Sequence, residues 1–469
     1  MSQPSTPQTP PQTQQSVQPI QAAMQPLPVP GPVHDLAHRA RRDRLAMAAA
    51  QLSHHEPAVV IAWAGQEMLR NRDNPYPFRS DSNFFYLTGF PEPDAWLVMT
   101  IEADGAHTDR LFCRDRDPTK EIWDGIRVGP EKAAEQFHMD QACSLSQLDD
   151  LLPGLLKNRR LMVAPLGRSS AAEQTLAGAL NQARAQARAG AFAPGQWVDL
   201  DQLVGPLRQI KDAHELATMQ EAANIAALGH VKAMRASAAG KAEYEIEAVL
   251  LEQFRRSGAQ SVAYGSIVAS GPHSCILHHR AGDRVMQNGD MLLIDAGCEL
   301  HNYASDITRS FPVNGRFSPE QKAVYEVVLA AQEAAIAATV PGAVFTAPHQ
   351  AAVRVLTQGM LELGLLPKQS VEAAIESGAY QRFYMHRTGH WLGMDVHDIG
   401  DYQQPLTPGQ VLTIEPGFYI RPDDHIPPAF WNIGIRIEDD AVVTQTGCQL
   451  LTRGVPVAVA AIEDLMRAD

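Results

Sequence analysis

The chain has 469 residues, of which 45% are apolar and 20% charged, a composition that predicts a globular protein of two or three folded units. Its net charge of −14 argues against duplex nucleic acid and anionic membrane as partners. The five cysteines, Cys113, Cys143, Cys275, Cys298 and Cys448, are widely spaced and contain no CxxC pair. That pattern argues against a disulfide framework or a structural zinc site and for a reducing compartment. No stretch approaches the ~20 apolar residues of a membrane span. The first 38 residues hold no Lys or Arg, which a secretory or transit signal requires. The expected location is the cytoplasm.

Residues 1–33 are dominated by Pro, Gln, Ser and Thr and are expected to form a disordered tail, because they offer no core. A helix is predicted from His34 onward, through DLAHRARRDRLAMAAAQL. The short apolar runs at 58–65, 95–103, 110–115 and 160–167 read as strands, and 171–188 reads as a helix. Strands mixed with helices predict an α/β domain over 34–207. From Lys211 the pattern changes. Leu216, Met219, Ala223 and Ala226 have helical spacing, as do Ile246, Val249, Leu250 and Phe254. A strand-rich block runs from Met291 to Val313. Ser318, Pro319 and Gln321 form a helix start. Val353, Leu356, Met360 and Leu363 mark a fourth helix, and more strands follow Met385. The order helix, helix, strands occurs twice, which predicts two similar halves in an α+β unit over 208–469, although no sequence repeat is evident.

Five segments of this second unit place acids or histidines among apolar residues. In MLLIDAG, strand alternation puts Asp295 on the face of Leu293, with Leu292 and Ile294 on the other. In SDITRSF, Asp306 is expected to share a strand face with Thr308. Taken singly, each of these acids reads as a turn or capping residue. MHRTGHWLGMDVHD holds His386, His390 and His397, two acids and two glycines within fourteen residues, a density that points to a site. In VLTIEPGFYI, Glu415 shares a strand face with Val411 and Thr413, and Pro416-Gly417 forces a turn. In GIRIEDD, Arg436 and Glu438 share a face. As a surface pair they would contribute little, but their apolar flanks favour a buried role.

These segments offer Asp295, Asp306, His390, Glu415 and Glu438. An unpaired buried carboxylate is costly. Four of them balance two divalent cations, whereas one cation would leave surplus negative charge. Oxygen-rich ligation with one imidazole suits manganese, and cobalt, iron or zinc are chemically possible.

The ordered set IDAG, SDITRSFPV, HRTGHWLGMDVHD, TIEPGFYI and GIRIEDD resembles the pita-bread metallopeptidases, and CILHHRAGD resembles their stretch with a substrate-binding histidine, here His278. SDSNFFYLTGFPEPDAWLV and EIWDGIRVGPEKA resemble the N-terminal domain of the aminopeptidase P family. The resemblance implies a creatinase/aminopeptidase P-type α/β domain followed by a pita-bread catalytic domain. It implies hydrolysis of the bond between an N-terminal residue and a penultimate proline, through a hydroxide bridging two metals. Asp306 and Glu438 would bridge the ions, Asp295 would complete one site, and His390 and Glu415 the other. Glu415 would also serve as general base. His278 and His397 would stabilise the oxyanion, His386 would line the proline pocket, and Arg436 would brace the ligand carboxylates. Relatives are dimers or tetramers, and Trp123 is the tryptophan that would reach a neighbouring subunit's site. A prolidase, restricted to Xaa-Pro dipeptides, shares the metal motifs, but the N-terminal resemblance favours aminopeptidase P. A non-catalytic peptide-binding module on the same fold would lack the metal ligands, and a creatinase-type hydrolase is the weaker option.

Overall fold

The computed structural model describes residues 33–467. The expected tail over 1–33 lies almost entirely outside the described residues.

The first half is built on a six-stranded mixed sheet. Its spatial order is Gln141–Ser144, His107–Cys113, Trp96–Ile101, Ala58–Trp63, Leu161–Ala164 and Gln196–Asp199. The central strand Ala58–Trp63 pairs antiparallel with Trp96–Ile101 and parallel with Leu161–Ala164. Its sequence is continuously apolar because both faces are covered. Ala58, Val60 and Ala62 pack with Leu45, Ala46 and Ala49 of helix Val33–Leu52. Val59 and Ile61 point to the opposite face. There they meet Leu148, Leu152 and Leu156 of helix Leu148–Leu156, and Leu176 and Leu180 of helix Ser170–Ala185. The two-residue period of a strand thus divides one sequence between two cores.

Helix Asp201–Gln209 leads into the second half. Asp212 and Glu215 close a capping box at the start of helix Ala213–Ala236, which packs against helix Glu243–Arg256. An antiparallel sheet follows, with strand Met291–Asp295 between Ile267–Ser270 and Thr308–Pro312. Ser318 and Gln321 then form the expected capping box, with Pro319 in the first turn of helix Pro319–Ala338. That helix packs on Ala347–Glu362, and strands Val411–Ile414, Asp439–Val443 and Cys448–Leu450 form a second antiparallel sheet. Each half of this unit is therefore a helix pair followed by a three-stranded sheet, in the expected order.

Both sheets deliver acids to one place. Leu292 and Ile294 are buried in the main core against the helices, while Leu293 packs with Ile267, Ala269 and Tyr419 on the opposite side. Asp295, at the end of this strand, takes that second side. A bridge between Thr308 and Glu438 joins the halves where the acids converge.

Candidate metal centre and active site

The convergence depends on local breaks in the strands. Asp306 lies just before strand Thr308–Pro312 rather than inside it. Its N–H bonds to Asp440 Oδ2 at 3.1 Å, so the ladder begins two residues later than the expected face-sharing with Thr308 required. Glu415 follows strand Val411–Ile414, and its N–H bonds to Thr388 O at 2.8 Å. Glu438 sits between strands Ile433–Arg436 and Asp439–Val443. Its carboxylate accepts from the Thr308 hydroxyl at 2.6 Å. Gly389 lets the histidine loop lie against this sheet, because a Cβ there would strike the Thr413 carbonyl oxygen.

Asp306, His390 and Glu438 each offer a ligand atom, all within 4.8 Å of one another. His390 Nε2 stands 3.6 Å from Asp306 Oδ2 and 3.8 Å from Glu415 Oε1. Asp295 joins the group through Tyr264, whose hydroxyl lies 2.6 Å from Asp295 Oδ1 and also contacts Asp306 Oδ1. Arg436 Nη2 reaches Asp295 Oδ2 at 2.5 Å, while its Nε donates to the Thr308 hydroxyl at 3.2 Å. The expected face-sharing of Arg436 with Glu438 therefore becomes a direct contact with a different acid, Asp295.

The electrostatics fit a cation. Burial, then the charges of Glu438 and Asp295, hold the Asp306 carboxyl well above the usual carboxylate range. Burial and Glu438 do the same to Glu415. Glu438 is pushed up to about 8 by burial and Asp295. These acids destabilise one another when ionised, and divalent cations among them would reverse the sign of the interaction. Burial lowers His390 to about 4, which keeps its imidazole neutral, as a ligand must be. Four carboxylates and one imidazole are an oxygen-rich donor set that fits divalent metal.

The cluster opens into a cavity of about 710 Å³, to which His278, His386 and His397 also contribute. The His397 ring meets the His390 ring edge-on, with centroids 4.4 Å apart. His386 Nε2 lies 2.8 Å from the Tyr419 hydroxyl, which also accepts from Arg436 Nη1 at 2.9 Å. Burial lowers His386 to about 3, so it is a neutral wall of the cavity. All nine expected site residues of the second half thus line one cavity. Trp123 does not. It lies on helix Pro118–Asp124 and is 84% exposed, between Ile122 and Ile126, which are exposed to a similar degree.

Four contributors were missed in the sequence. Tyr264 lies in an unremarkable AYGSIV stretch, and only the fold brings it between two acids. Tyr419, Thr308 and Asp440 lie inside the quoted motifs, so proximity to the assigned acids was the available signal.

The profile of Metallopeptidase family M24 matches residues 217–445, and that of the aminopeptidase P N-terminal domain matches 38–163. An Xaa-Pro aminopeptidase of Haemophilus influenzae is 42% identical over 418 residues, covering 87% of this chain and 93% of that protein. The structure of Pseudomonas aeruginosa aminopeptidase PepP is similar with a TM-score of 0.88 at 45% identity, covering 93% of this chain and 98% of that one. A variant of Escherichia coli aminopeptidase P in complex with substrate is also similar, with a TM-score of 0.88 at 38% identity, covering 92% of this chain and 98% of that one. The two-part architecture is an aminopeptidase P N-terminal domain followed by a pita-bread domain. With these matches over nearly the whole described chain, the protein belongs to the Xaa-Pro aminopeptidases of metallopeptidase family M24.

Proposed function

We infer that the chain is a metallo-aminopeptidase that releases the first residue of peptides whose second residue is proline, using two divalent ions held by Asp295, Asp306, His390, Glu415 and Glu438. The observation that carries this reading is the meeting of those five side chains with His278, His386 and His397 around one cavity. Family membership supplies the substrate class. The division at 34–207 and 208–469 belongs to the same reading, with helix Asp201–Gln209 spanning the junction.

In this reading Asp306 and Glu438 would hold both ions, Asp295 would help hold one, and His390 and Glu415 would help hold the other. Bound ions would supply Lewis acidity and a water of lowered pKa, and manganese suits the donors. Glu415 accepts the proton of the attacking water and passes it to the leaving proline nitrogen. His278 and His397 donate hydrogen bonds to the scissile carbonyl oxygen as it gains charge. His386, held by Tyr419 and by Arg387 O, gives the proline ring a rigid wall. Arg436 holds Asp295 in place and offsets part of its charge. An X–Pro bond has no N–H, so a shaped wall, rather than a donor pairing, selects the ring.

The exposed Ile122, Trp123 and Ile126 support a homodimer or homotetramer in which this patch meets a neighbouring subunit. Free thiols at all five cysteines support a cytoplasmic location. Among the described residues no helix is long and apolar enough to cross a membrane.

The test is a kinetic comparison of Xaa-Pro-Yaa, Xaa-Ala-Yaa, Xaa-Pro and N-acetylated Xaa-Pro-Yaa peptides. The expected result is release of free Xaa from the first alone at high rate. Preference for the dipeptide would make the chain a prolidase, and equal rates on blocked and free peptides would overturn the aminopeptidase reading.

A further inference from the structure

The 271–282 segment places Leu277, His278 and Arg280 along the cavity. The same segment also contributes to a second cluster of ligand-type side chains, centred on Glu243 at the start of helix Glu243–Arg256. The Glu243 side chain is fully buried, whereas those of His273 and His279 remain 32% and 16% exposed. Glu243 Oε1 accepts from Ser270 N at 2.8 Å and from the Ser270 hydroxyl at 2.7 Å, and lies 3.0 Å from His273 Nδ1. Its Oε2 lies 2.7 Å from His279 Nε2 and accepts from Gly282 N at 3.2 Å. The two imidazole rings lie side by side, with centroids 4.1 Å apart and planes tilted by 31°. Ligand atoms of all three residues fall within 4.8 Å of one another.

We propose that Glu243, His273 and His279 bind a divalent transition ion such as zinc, at a site distinct from the acid cluster of the cavity. Two imidazoles and one carboxylate are a zinc donor set that leaves a fourth tetrahedral position for water. The exposed edges of His273 and His279 give the ion an entry path. Ser270 and Gly282 already fix the carboxylate, the supporting arrangement that ligand groups require. The donor chemistry differs from that of the cavity cluster. Two imidazoles favour zinc, nickel or copper over manganese, so the two sites can hold different metals in one chain. An ion here would pin the 271–282 segment to the helix, with ligand His279 directly adjoining His278.

The experiment uses the full chain loaded with manganese, then dialysed against zinc chloride, with zinc and manganese counted together by elemental analysis. Wild type is expected to hold one more metal equivalent per chain than the H273N/H279N double variant. This difference does not depend on how many ions the cavity cluster takes. X-ray absorption at the zinc edge reads the same question in the two proteins. The expected signature at one zinc equivalent is two imidazoles, against one for the cavity cluster. Hydrogen exchange in 271–282 should slow on zinc addition in wild type and not in the variant. Equal metal totals in the two proteins, or zinc-edge spectra that are the same in wild type and the variant, would overturn the proposal.

Discussion

Arg208 Nη2 lies 2.5 Å from Asp398 Oδ1, and this buried pair ties helix Asp201–Gln209 to the residue that follows His397. Lys211 Nζ reaches the other oxygen of Asp398 at 2.9 Å. Burial opposes the Asp398 charge, but Lys211 and Arg208 outweigh it and hold the carboxyl below its ordinary range. The junction between the two halves thus holds the histidine loop in position.

Removing Arg208 leaves Asp398 buried with one cation fewer, and breaking such a pair costs about 3–5 kcal/mol. Arg208→Ala is therefore expected to lower the melting temperature and to reduce kcat through His397. Because the folded pKa of Asp398 is depressed, its contribution is present above the unfolded carboxylate value and is lost as pH falls through the folded value. The difference in melting temperature between wild type and Arg208→Ala should accordingly shrink in acid. A difference that is constant with pH would show that the pair contributes no charge interaction.

Metal removal should also matter less in acid, but over a higher pH window. Asp306 and Glu415 are raised well above the carboxylate range, and Glu438 to about 8, by burial and by one another. In the metal-free chain their contribution is fully present below the unfolded value and is lost as pH rises through these folded values. Metal binding, in contrast, needs the ligands deprotonated and strengthens as pH rises. The melting temperature lost on chelation should therefore be larger near pH 8 than at about pH 5, where protons already neutralise the acids. Differential scanning calorimetry with and without chelator checks this. An equal loss at both pH values would contradict the assignment of these acids as the ligands.

Tyr264 touches both Asp295 and Asp306 without being an expected ligand itself. Tyr264→Phe removes a hydroxyl that orients two carboxylates, a class of change that typically costs 10–100-fold in metal affinity. Activity at limiting manganese should fall by about that factor, and excess manganese should restore most of it. A loss that saturating metal leaves untouched would instead place the Tyr264 hydroxyl on the substrate.

The parts legible in the sequence were those in which one physical signal dominated. AVVIAW read as a strand because both its faces are buried, and Ser318, Pro319 and Gln321 marked a helix start because the cap is local chemistry. Asp295, Glu415 and Glu438 stood out because each adjoins an apolar stretch. Strands Gln141–Ser144 and Gln196–Asp199 escaped notice because they lie at the sheet edges, where short polar sequences suffice. Helix Ser82–Thr88 is only seven residues long, too short to show a period. The position of Asp306 before its strand depends on Asp440, 134 residues away, which no local pattern encodes. The pairing of Arg436 with Asp295 across 141 residues is tertiary in the same way.

His390 and His397, seven residues apart in the sequence, have rings in edge contact, yet they are assigned different tasks. His390 Nε2 faces Asp306 and Glu415, so His390→Ala removes a proposed ligand. Metal content and activity should fall together, and surplus manganese should recover part of both. His397 lines the cavity and is assigned to the carbonyl oxygen, where its hydrogen bond strengthens only as charge develops. His397→Ala should leave metal content near normal and lower kcat by roughly 10²–10³, the usual loss for one oxyanion donor, with a smaller change in KM. Surplus manganese should not repair it. A purely packing role for His397 would instead lower the melting temperature and leave turnover per folded molecule intact. Metal content, melting temperature and kcat measured on the same preparations separate these cases. If His397→Ala loses metal as His390→Ala does, the ring contact is mechanical support for the ligand, and the oxyanion assignment passes to His278 alone.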